Sequence, residues 1–318
     1  MSKGRVCLAY SGGLDTSTIL KWLINEGYTV VCFLANVGQK EDWAAVEKKA
    51  LAVGAERMVI LDLQRELVEQ LVWPAIQCKG NKTYECRIQL MPNIVHSSYE
   101  AGVLEDPNMT PPKDLWNLTQ DPQDAPDKPE HFTLFFEKGI PVKLVIGEET
   151  ITDSLALFKR LNLIGYTHGV GRTDIVENRF IGLKSRGCYE RQAHIDLESL
   201  VMDGKVRELR DQFCTFTWSR LLYNGMYFSP EREFVENSIV FSQQNVTGEV
   251  RLMAYKGAVY VQGRQSDASN LYSMEDASMD SLEGFSPMDT TGFIEIQSIR
   301  LKKYGAQKIK DGKPLTEA

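Results

Sequence analysis

Ala9-Tyr10-Ser11-Gly12-Gly13-Leu14-Asp15-Thr16-Ser17 follows a short apolar run, Val6 to Tyr10, and leads into Thr16 to Asn25, where Ile19, Leu20, Leu23 and Ile24 recur at helical spacing. A strand, two adjacent glycines and a helix start in that order leave the first helical amides without internal partners. The glycines let the main chain approach an anion closely, and the hydroxyls of Ser11, Thr16 and Ser17 add donors. Phosphate is the guest such a turn suits, the competing reading being a bare turn with Ser11 or Asp15 as a helix cap. The loop has no Gly-Lys-Ser/Thr and no Gly-x-Gly-x-x-Gly, so it is neither a Walker loop nor a dinucleotide turn. With no Lys in it, pyrophosphate as leaving group fits better than γ-phosphoryl transfer.

Outward from the loop the pattern repeats. Tyr28 to Ala35 is a second buried run, Asp42 to Val53 a second helix, Arg57 to Leu61 a third strand, and Leu63 to Val72 a third helix that Pro74 is expected to stop. Apolar strands alternating with amphipathic helices specify an α/β domain, a parallel doubly wound sheet covered on both faces. Beyond it, Phe132 to Phe136 with Val142 to Ile146 reads as a hairpin, Ser154 to Tyr166 and Glu198 to Phe213 as helices, and Glu249 to Tyr255 with Ala258 to Gln262 as strands joined by a tight turn at Lys256-Gly257. This half is α+β. Six of the twelve prolines fall between residues 107 and 129 among aspartates, the mark of an extended connector. The division expected is 1–92 for the nucleotide-binding domain, 93–300 for the second domain with its Pro-rich connector at 105–130, and 301–318 as a basic tail, either solvated or a partner-binding arm.

The 318 residues carry a net charge of −7, with 43% hydrophobic and 25% charged, an ordinary globular balance that excludes a disordered chain. An acidic chain does not hold nucleic acid through bulk charge, so no nucleic-acid partner is expected. No window approaches the roughly 18 apolar residues of a membrane helix, and no cleavable leader is evident, so the expectation is a cytoplasmic protein without a membrane partner. The six scattered cysteines read as reduced thiols rather than a metal or disulfide framework, and no metal-ligating residues are assigned.

Further segments give the loop a context: Leu34-Ala35-Asn36-Val37-Gly38-Gln39, Trp73-Pro74-Ala75-Ile76-Gln77, Ser98-Tyr99-Glu100-Ala101-Gly102, the run from Gly169 to Arg179, and Lys184-Ser185-Arg186-Gly187-Cys188-Tyr189-Glu190. The loop resembles that of the ATP pyrophosphatases, and with these segments the chain resembles the argininosuccinate synthase family over most of residues 1–77 and 93–310. The resemblance implies an adenine nucleotide α-hydrolase-like first domain, a synthetase second domain and a two-step ligation. The citrulline ureido oxygen attacks the α-phosphorus of ATP to give citrullyl-AMP and pyrophosphate, and the aspartate amine then displaces AMP. It implies ATP and Mg2+, citrulline and aspartate as the small molecules bound, arginine biosynthesis and the urea cycle as the setting, and a homotetramer in which Phe293 to Tyr304 reaches a neighbouring subunit. By the same resemblance Ala9, Tyr10, Ser11, Gly12, Gly13, Leu14, Asp15, Thr16, Ser17 and Ala35 bind ATP. Ser98, Glu177 and Tyr189 hold citrulline, Asn81 is a tentative addition, and no catalytic acid or base is assigned. On their own, Glu177 could be a surface ion pair with Arg172 or Arg179, and Tyr189 an ordinary half-buried aromatic.

The chain departs from the family pattern twice. A long block is missing after Gln77, where Lys79-Gly80-Asn81 only echoes it, and a shorter one after Glu190. If the first carries later strands, Val6 to Tyr10 becomes a sheet edge, half of the ATP crevice lacks a wall, and the aspartate site is largely absent. The alternative kept beside the ligase is therefore a non-catalytic nucleotide-binding or subunit-interaction variant.

Overall fold

The computed structural model describes residues 3–78, 97–99, 102–178, 184–190, 202–267 and 291–310, and the chain divides into two compact units, Met1–Ser269 and Asn270–Ala318. Asn81 lies outside the described residues.

In the first unit, strands β1 (Arg5–Ala9), β2 (Thr29–Asn36) and β3 (Arg57–Asp62) pair in parallel in the order β1-β2-β3, with helices α1 (Leu14–Asn25) and α2 (Trp43–Val53) as the crossovers. Asp42 caps α2 by accepting from the Ala45 amide at 3.0 Å, which satisfies one of the orphan donors at its start. The strands alternate, so Leu8, Val30, Cys32, Leu34 and Met58 share one face, and there they meet Leu20, Leu23 and Ile24 of α1 and Val46, Ala50 and Val53 of α2. Both helices thus lie on the same face. Right-handed crossovers that step in one direction, β1 to β2 to β3, can only stack that way. Cover on the second face needs strands beyond β1. Among the described residues β1 pairs with β2 alone, and it stands at the edge, as the missing block implies.

The expectation that Pro74 ends the third helix is corrected. Gln64–Glu66, Leu67–Val72 and Trp73–Gln77 run on as one stretch, α3, with a π-helical turn in the middle. There the Trp73 amide reaches back five residues to the Val68 carbonyl, and this widened turn admits a proline ring and its missing N–H. α3 buries Val68 and Trp73 against an antiparallel sheet of order β11-β10-β5-β6-β7. Its strands are β5 (Glu130–Glu137), β6 (Ile140–Ile146), β7 (Glu149–Ile151), β10 (Gly248–Tyr255) and β11 (Ala258–Gln265). Both expected hairpins form. Lys256 and Gly257, with φ of 39° and 89°, make the two-residue turn between β10 and β11.

Helix α4 (Ser154–Thr167) joins α3 on this sheet, the Trp73 and Phe158 rings meeting edge to face at 5.8 Å. The helix expected from Glu198 starts later and runs further. Residues 198–201 are outside the described set, and Asp203 caps α5, which continues through Gly204–Leu209, Arg210–Thr215 and Phe216–Tyr223. Asp203 accepts from the amides of Lys205 and Val206, so the helix begins at its side chain. Helix α6 (Pro230–Ser242) packs Val235 and Ile239 on Trp218 and Cys78.

A third sheet, β4 (Ser97–Tyr99), β9 (Lys184–Glu190) and β8 (Arg172–Asn178), is antiparallel in the order β4-β9-β8. The Pro-rich connector drapes against it rather than standing free. Arg172 donates to the Thr119 hydroxyl at 2.8 Å and the Thr119 carbonyl at 2.9 Å, and it stacks over Trp116. Thr119 and Ala125 of the connector are buried, as is Leu104 just before it. Gly169 at φ +67° lies so close to it that a Cβ would stand 2.5 Å from the Gln120 carbonyl oxygen. No L side chain fits there.

In the second unit, residues 291–310 form one helix, α7 (Thr291–Lys310), so the stretch expected as a polar tail is helical to Lys310. Phe293, Ile294, Ile296, Ile299, Leu301 and Tyr304 are exposed on it. Among the described residues no helix is long and apolar enough to cross a membrane.

Candidate nucleotide-binding site

The loop after β1 is held from three sides. The Tyr10 amide donates to the Phe33 carbonyl at 2.9 Å, which carries the chain one residue past the strand before it turns. Gly12 then takes φ +77° and lies flat against α2, with Val46 Cγ2 only 3.1 Å from where a Cβ would be. Lys49, one turn further along α2, donates from Nζ to the Gly12 carbonyl at 2.5 Å. Gly13 stands at the N-cap of α1, in extended conformation and with no side-chain cap bond. The competing reading of Ser11 or Asp15 as a cap is therefore not what forms. The first amides of α1 face outward at the positive end of the helix, next to half-buried hydroxyls.

Those hydroxyls are not equivalent. Ser17 spends its one proton on the Gly13 carbonyl at 2.7 Å, so in the 3.0 Å contact between Tyr10 Oη and Ser17 Oγ the tyrosine is the donor. Ser17 and buried Tyr10 thus brace the loop from inside. Ser11 Oγ and Thr16 Oγ1 are 3.4 Å apart, and Thr16 is 3.4 Å from the Gly13 carbonyl, so both remain loosely held and available to an incoming oxyanion. Asp15 and Leu14 are exposed in the first turn.

Ala35 lies beside this loop at the carboxyl end of β2, where ligands of parallel sheets bind. Its carbonyl accepts from Gln39 Nε2 at 2.7 Å, the Val37 amide donates to Gln39 Oε1 at 2.8 Å, and the Gly38 amide donates to Asn36 Oδ1 at 3.0 Å. Asn36 and Gln39 fold the turn and fix the edge of the crevice. Gln39 was visible in the sequence only as part of a motif, and Lys49 carried no signal at all.

The three candidates for citrulline stand on a different sheet. Register pairs Ser98 of β4 with Tyr189 of β9, Tyr189 with Thr173 of β8, and Ser185 with Glu177. Paired residues share a face and positions two apart repeat it, so Ser98, Tyr189 and Glu177 fall on one face, Glu177 about 13 Å along the strands from the other two. The opposite face carries the structural groups. Buried Arg186 donates to Asp174 through Nε at 2.9 Å and Nη2 at 2.6 Å, and to the Asp106 carbonyl through Nη1 at 2.8 Å. Cys188 is fully buried beside them, and burial pushes its thiol up. Arg172 is committed to Thr119, and it is also 3.5 Å from Asp121.

Arg186 holds the Asp174 carboxyl below the usual carboxylate range, chiefly through its hydrogen bonds. A depressed folded-state pKa gives stability that is fully present above the ordinary value, about 3.9, and is lost as pH falls through the folded one. The difference in urea midpoint between wild type and Asp174→Asn should stay constant from about pH 8 to about pH 5 and close below about pH 4. A difference that persists at low pH would remove the ion pair as its cause.

Among the described residues no group of three or more His, Cys, Asp and Glu is placed to hold a metal ion. The hard oxygen donors at the loop are Asp15, Ser11 and Thr16. That donor set suits Mg2+ carried in by phosphate oxygens rather than a cage of side chains.

Two family models match the chain: arginosuccinate synthase N-terminal HUP domain over residues 5–102 and arginosuccinate synthase C-terminal domain over residues 90–304. Argininosuccinate synthase of Saccharomyces cerevisiae is 41% identical over 419 aligned positions, covering 99% of this chain and 100% of that protein. The Schizosaccharomyces pombe protein of that name is 42% identical over 395 positions (94% of this chain, 96% of that one), and the human one 38% over 402 (95% and 97%). An alignment of 419 positions against 318 residues leaves at least 101 positions of the yeast protein without a counterpart here. Shortened as it is, with its glycine loop on a parallel sheet and its second half matched almost to the end, the chain belongs to the argininosuccinate synthase family.

Proposed function

We propose that the chain joins citrulline to aspartate at the expense of ATP, through citrullyl-AMP, releasing pyrophosphate and AMP and forming argininosuccinate. The observation that carries this reading is the uncapped start of α1 behind Gly12-Gly13, on the carboxyl side of β1, in a chain of this family. Of residues 9–17, Ser11, Gly12, Gly13, Leu14, Asp15 and Thr16 receive the triphosphate, Ala9, Tyr10 and Ser17 shape and brace the ATP loop behind them, and Ala35 meets the nucleoside. The amides and the Ser11 and Thr16 hydroxyls donate to phosphate oxygens where charge develops as pyrophosphate leaves, a role that needs placement more than a strong base. Mg2+, when bound with ATP, neutralises phosphate charge, and Asp15 would hold it with Ser11 or Thr16. Ser98, Tyr189 and Glu177 orient citrulline, Glu177 pairing with its α-amino group and presenting the ureido oxygen to the α-phosphorus. Residues 1–92 supply the nucleotide site and 93–300 the amino-acid site, and the setting is cytoplasmic arginine synthesis.

A second reading is favoured by one observation. The positions missing relative to the yeast protein, together with β1 at a sheet edge among the described residues, would leave a nucleotide loop that binds ATP without completing ligation. One experiment separates the two: the purified chain with ATP, Mg2+, citrulline and aspartate, with argininosuccinate and AMP followed by mass spectrometry. Product above a Ser11→Ala control supports the ligase. Bound ATP without citrulline-dependent AMP sinks it in favour of the second reading.

A homotetramer is proposed as well, supported by the exposed Phe293, Ile294, Ile296 and Leu301 of α7. Sedimentation equilibrium should give four times the chain mass, and Ile296→Asp should lower it. A monomer at micromolar concentration would overturn the assembly.

A further inference from the structure

The glycine loop lacks a cation of its own: residues 9–17 contain no Lys or Arg. A triphosphate carries several negative charges, and amides with two hydroxyls supply dipoles but no countercharge. The structure brings one from 37 residues away. Lys49 Nζ on α2 is 2.5 Å from the Gly12 carbonyl oxygen, at the turn itself. An ammonium has three donors, and this carbonyl takes one. No carboxylate pairs with Lys49 among the described residues.

The base of this side chain is fixed. Val46, one turn before Lys49, is buried against Gly12, and Ala50, the next residue, is fully buried in the core of the sheet. Helical spacing puts Val46 and Lys49 on the face that meets the loop, whereas Lys48 is rotated away by about 100°. α2 therefore delivers one lysine and only one to the turn, and holds the helix that carries it in contact with the glycine that the phosphates must pass.

We propose that Lys49 is the phosphate-binding lysine of this loop: it pins the Gly12 carbonyl and turns its remaining donors to the pyrophosphoryl oxygens of ATP. This rests on the ATP reading of the loop, and it adds a residue that the loop's own sequence does not contain. A lysine supplied from the second helix is a point charge on a flexible stem, able to follow the oxygens as pyrophosphate separates from the α-phosphorus.

The test measures binding of Mg-ATP, pyrophosphate and adenosine to the full chain by isothermal titration, for wild type, Lys49→Met, Lys49→Arg and Lys48→Met. Lys49→Met should weaken ATP and pyrophosphate about 10- to 100-fold and leave adenosine unchanged. Lys49→Arg should restore most of the loss, and Lys48→Met should match wild type. Equal ATP affinity in Lys49→Met overturns the inference, and so does an equal loss for adenosine, which would mean that Lys49 only shapes the loop. If Lys49→Met does not fold, Lys49→Gln is measured in its place against the same criteria. A wild-type chain that binds neither ATP nor pyrophosphate overturns the nucleotide reading itself, and Lys49 with it.

Discussion

Gly12→Ala lowers ATP-dependent release of AMP by at least about a hundredfold while leaving the far-ultraviolet circular dichroism spectrum as it is in wild type. Two effects combine at this position. Gly12 adopts φ +77°, where an L side chain costs on the order of 1–2 kcal/mol, and the added Cβ would stand 3.1 Å from Val46 Cγ2. The backbone relieves both by swinging the turn off α2, and that movement misdirects the amides at the start of α1. Loss of one aligned donor to a developing oxyanion costs about 10²–10³ in rate. The double variant Gly12→Ala with Val46→Ala separates the causes. Removing the valine methyls makes room for the Cβ and should recover stability, but it restores neither the φ preference nor the close approach of phosphate, so activity should stay low. Full activity in the double variant would mean that the clash with Val46 was the whole effect and that the conformation of Gly12 does not matter.

The reach of the sequence ends where distance along the chain begins. Strand, glycine pair and helix were legible because each is local: Val6 to Tyr10 is apolar, Gly12 and Gly13 are adjacent, and Ile19, Leu20, Leu23 and Ile24 recur at helical spacing. Among the described residues the edge position of β1 was legible too, as an expected consequence of the block missing after Gln77. The inward turn of the Ser17 hydroxyl was not, since a serine in a loop reads as a donor until its neighbour carbonyl is seen to take the proton. Lys49 was hidden for the same reason. It sits 37 residues from Gly12 in an ordinary amphipathic helix beside an identical neighbour, Lys48, and only the packing of Val46 tells them apart. For the citrulline candidates the local sequence left Glu177 and Tyr189 with bland readings, and the strand register does what spacing could not. It places Ser98, Glu177 and Tyr189, up to 91 residues apart in sequence, on one face of one sheet.

Trp73→Ala should cost about 3–5 kcal/mol, the usual range for truncating a buried tryptophan. The site is well placed to lose that much. The indole is 3% exposed, meets Phe158 edge to face, and belongs to the same cluster as Leu134, Phe136, Leu144 and Leu157 of the antiparallel sheet and α4. It also sits where the π turn hands the chain on to Pro74, so it anchors the one part of α3 whose backbone bonding is irregular. β3 ends at Asp62 and α3 begins at Gln64, so this helix follows the parallel sheet directly and buries its apolar side on the antiparallel one. Loosening it therefore weakens the second core first, while the Tyr10, Leu20 and Cys32 cluster keeps its own contacts. Trp73→Phe tests the assignment from the other side: it keeps the ring against Phe158 and removes an indole N–H that has no hydrogen-bond partner among the described residues, so it should cost no more than about a third of the alanine change. Hydrogen exchange at the backbone amides of Leu144 and Cys32 in rising urea reads the second and the first core separately. A fall in the Leu144 midpoint with that of Cys32 unmoved is the result expected in Trp73→Ala. A single transition shifted by under about 1 kcal/mol would mean that α3 is held by its neighbours and not by this side chain.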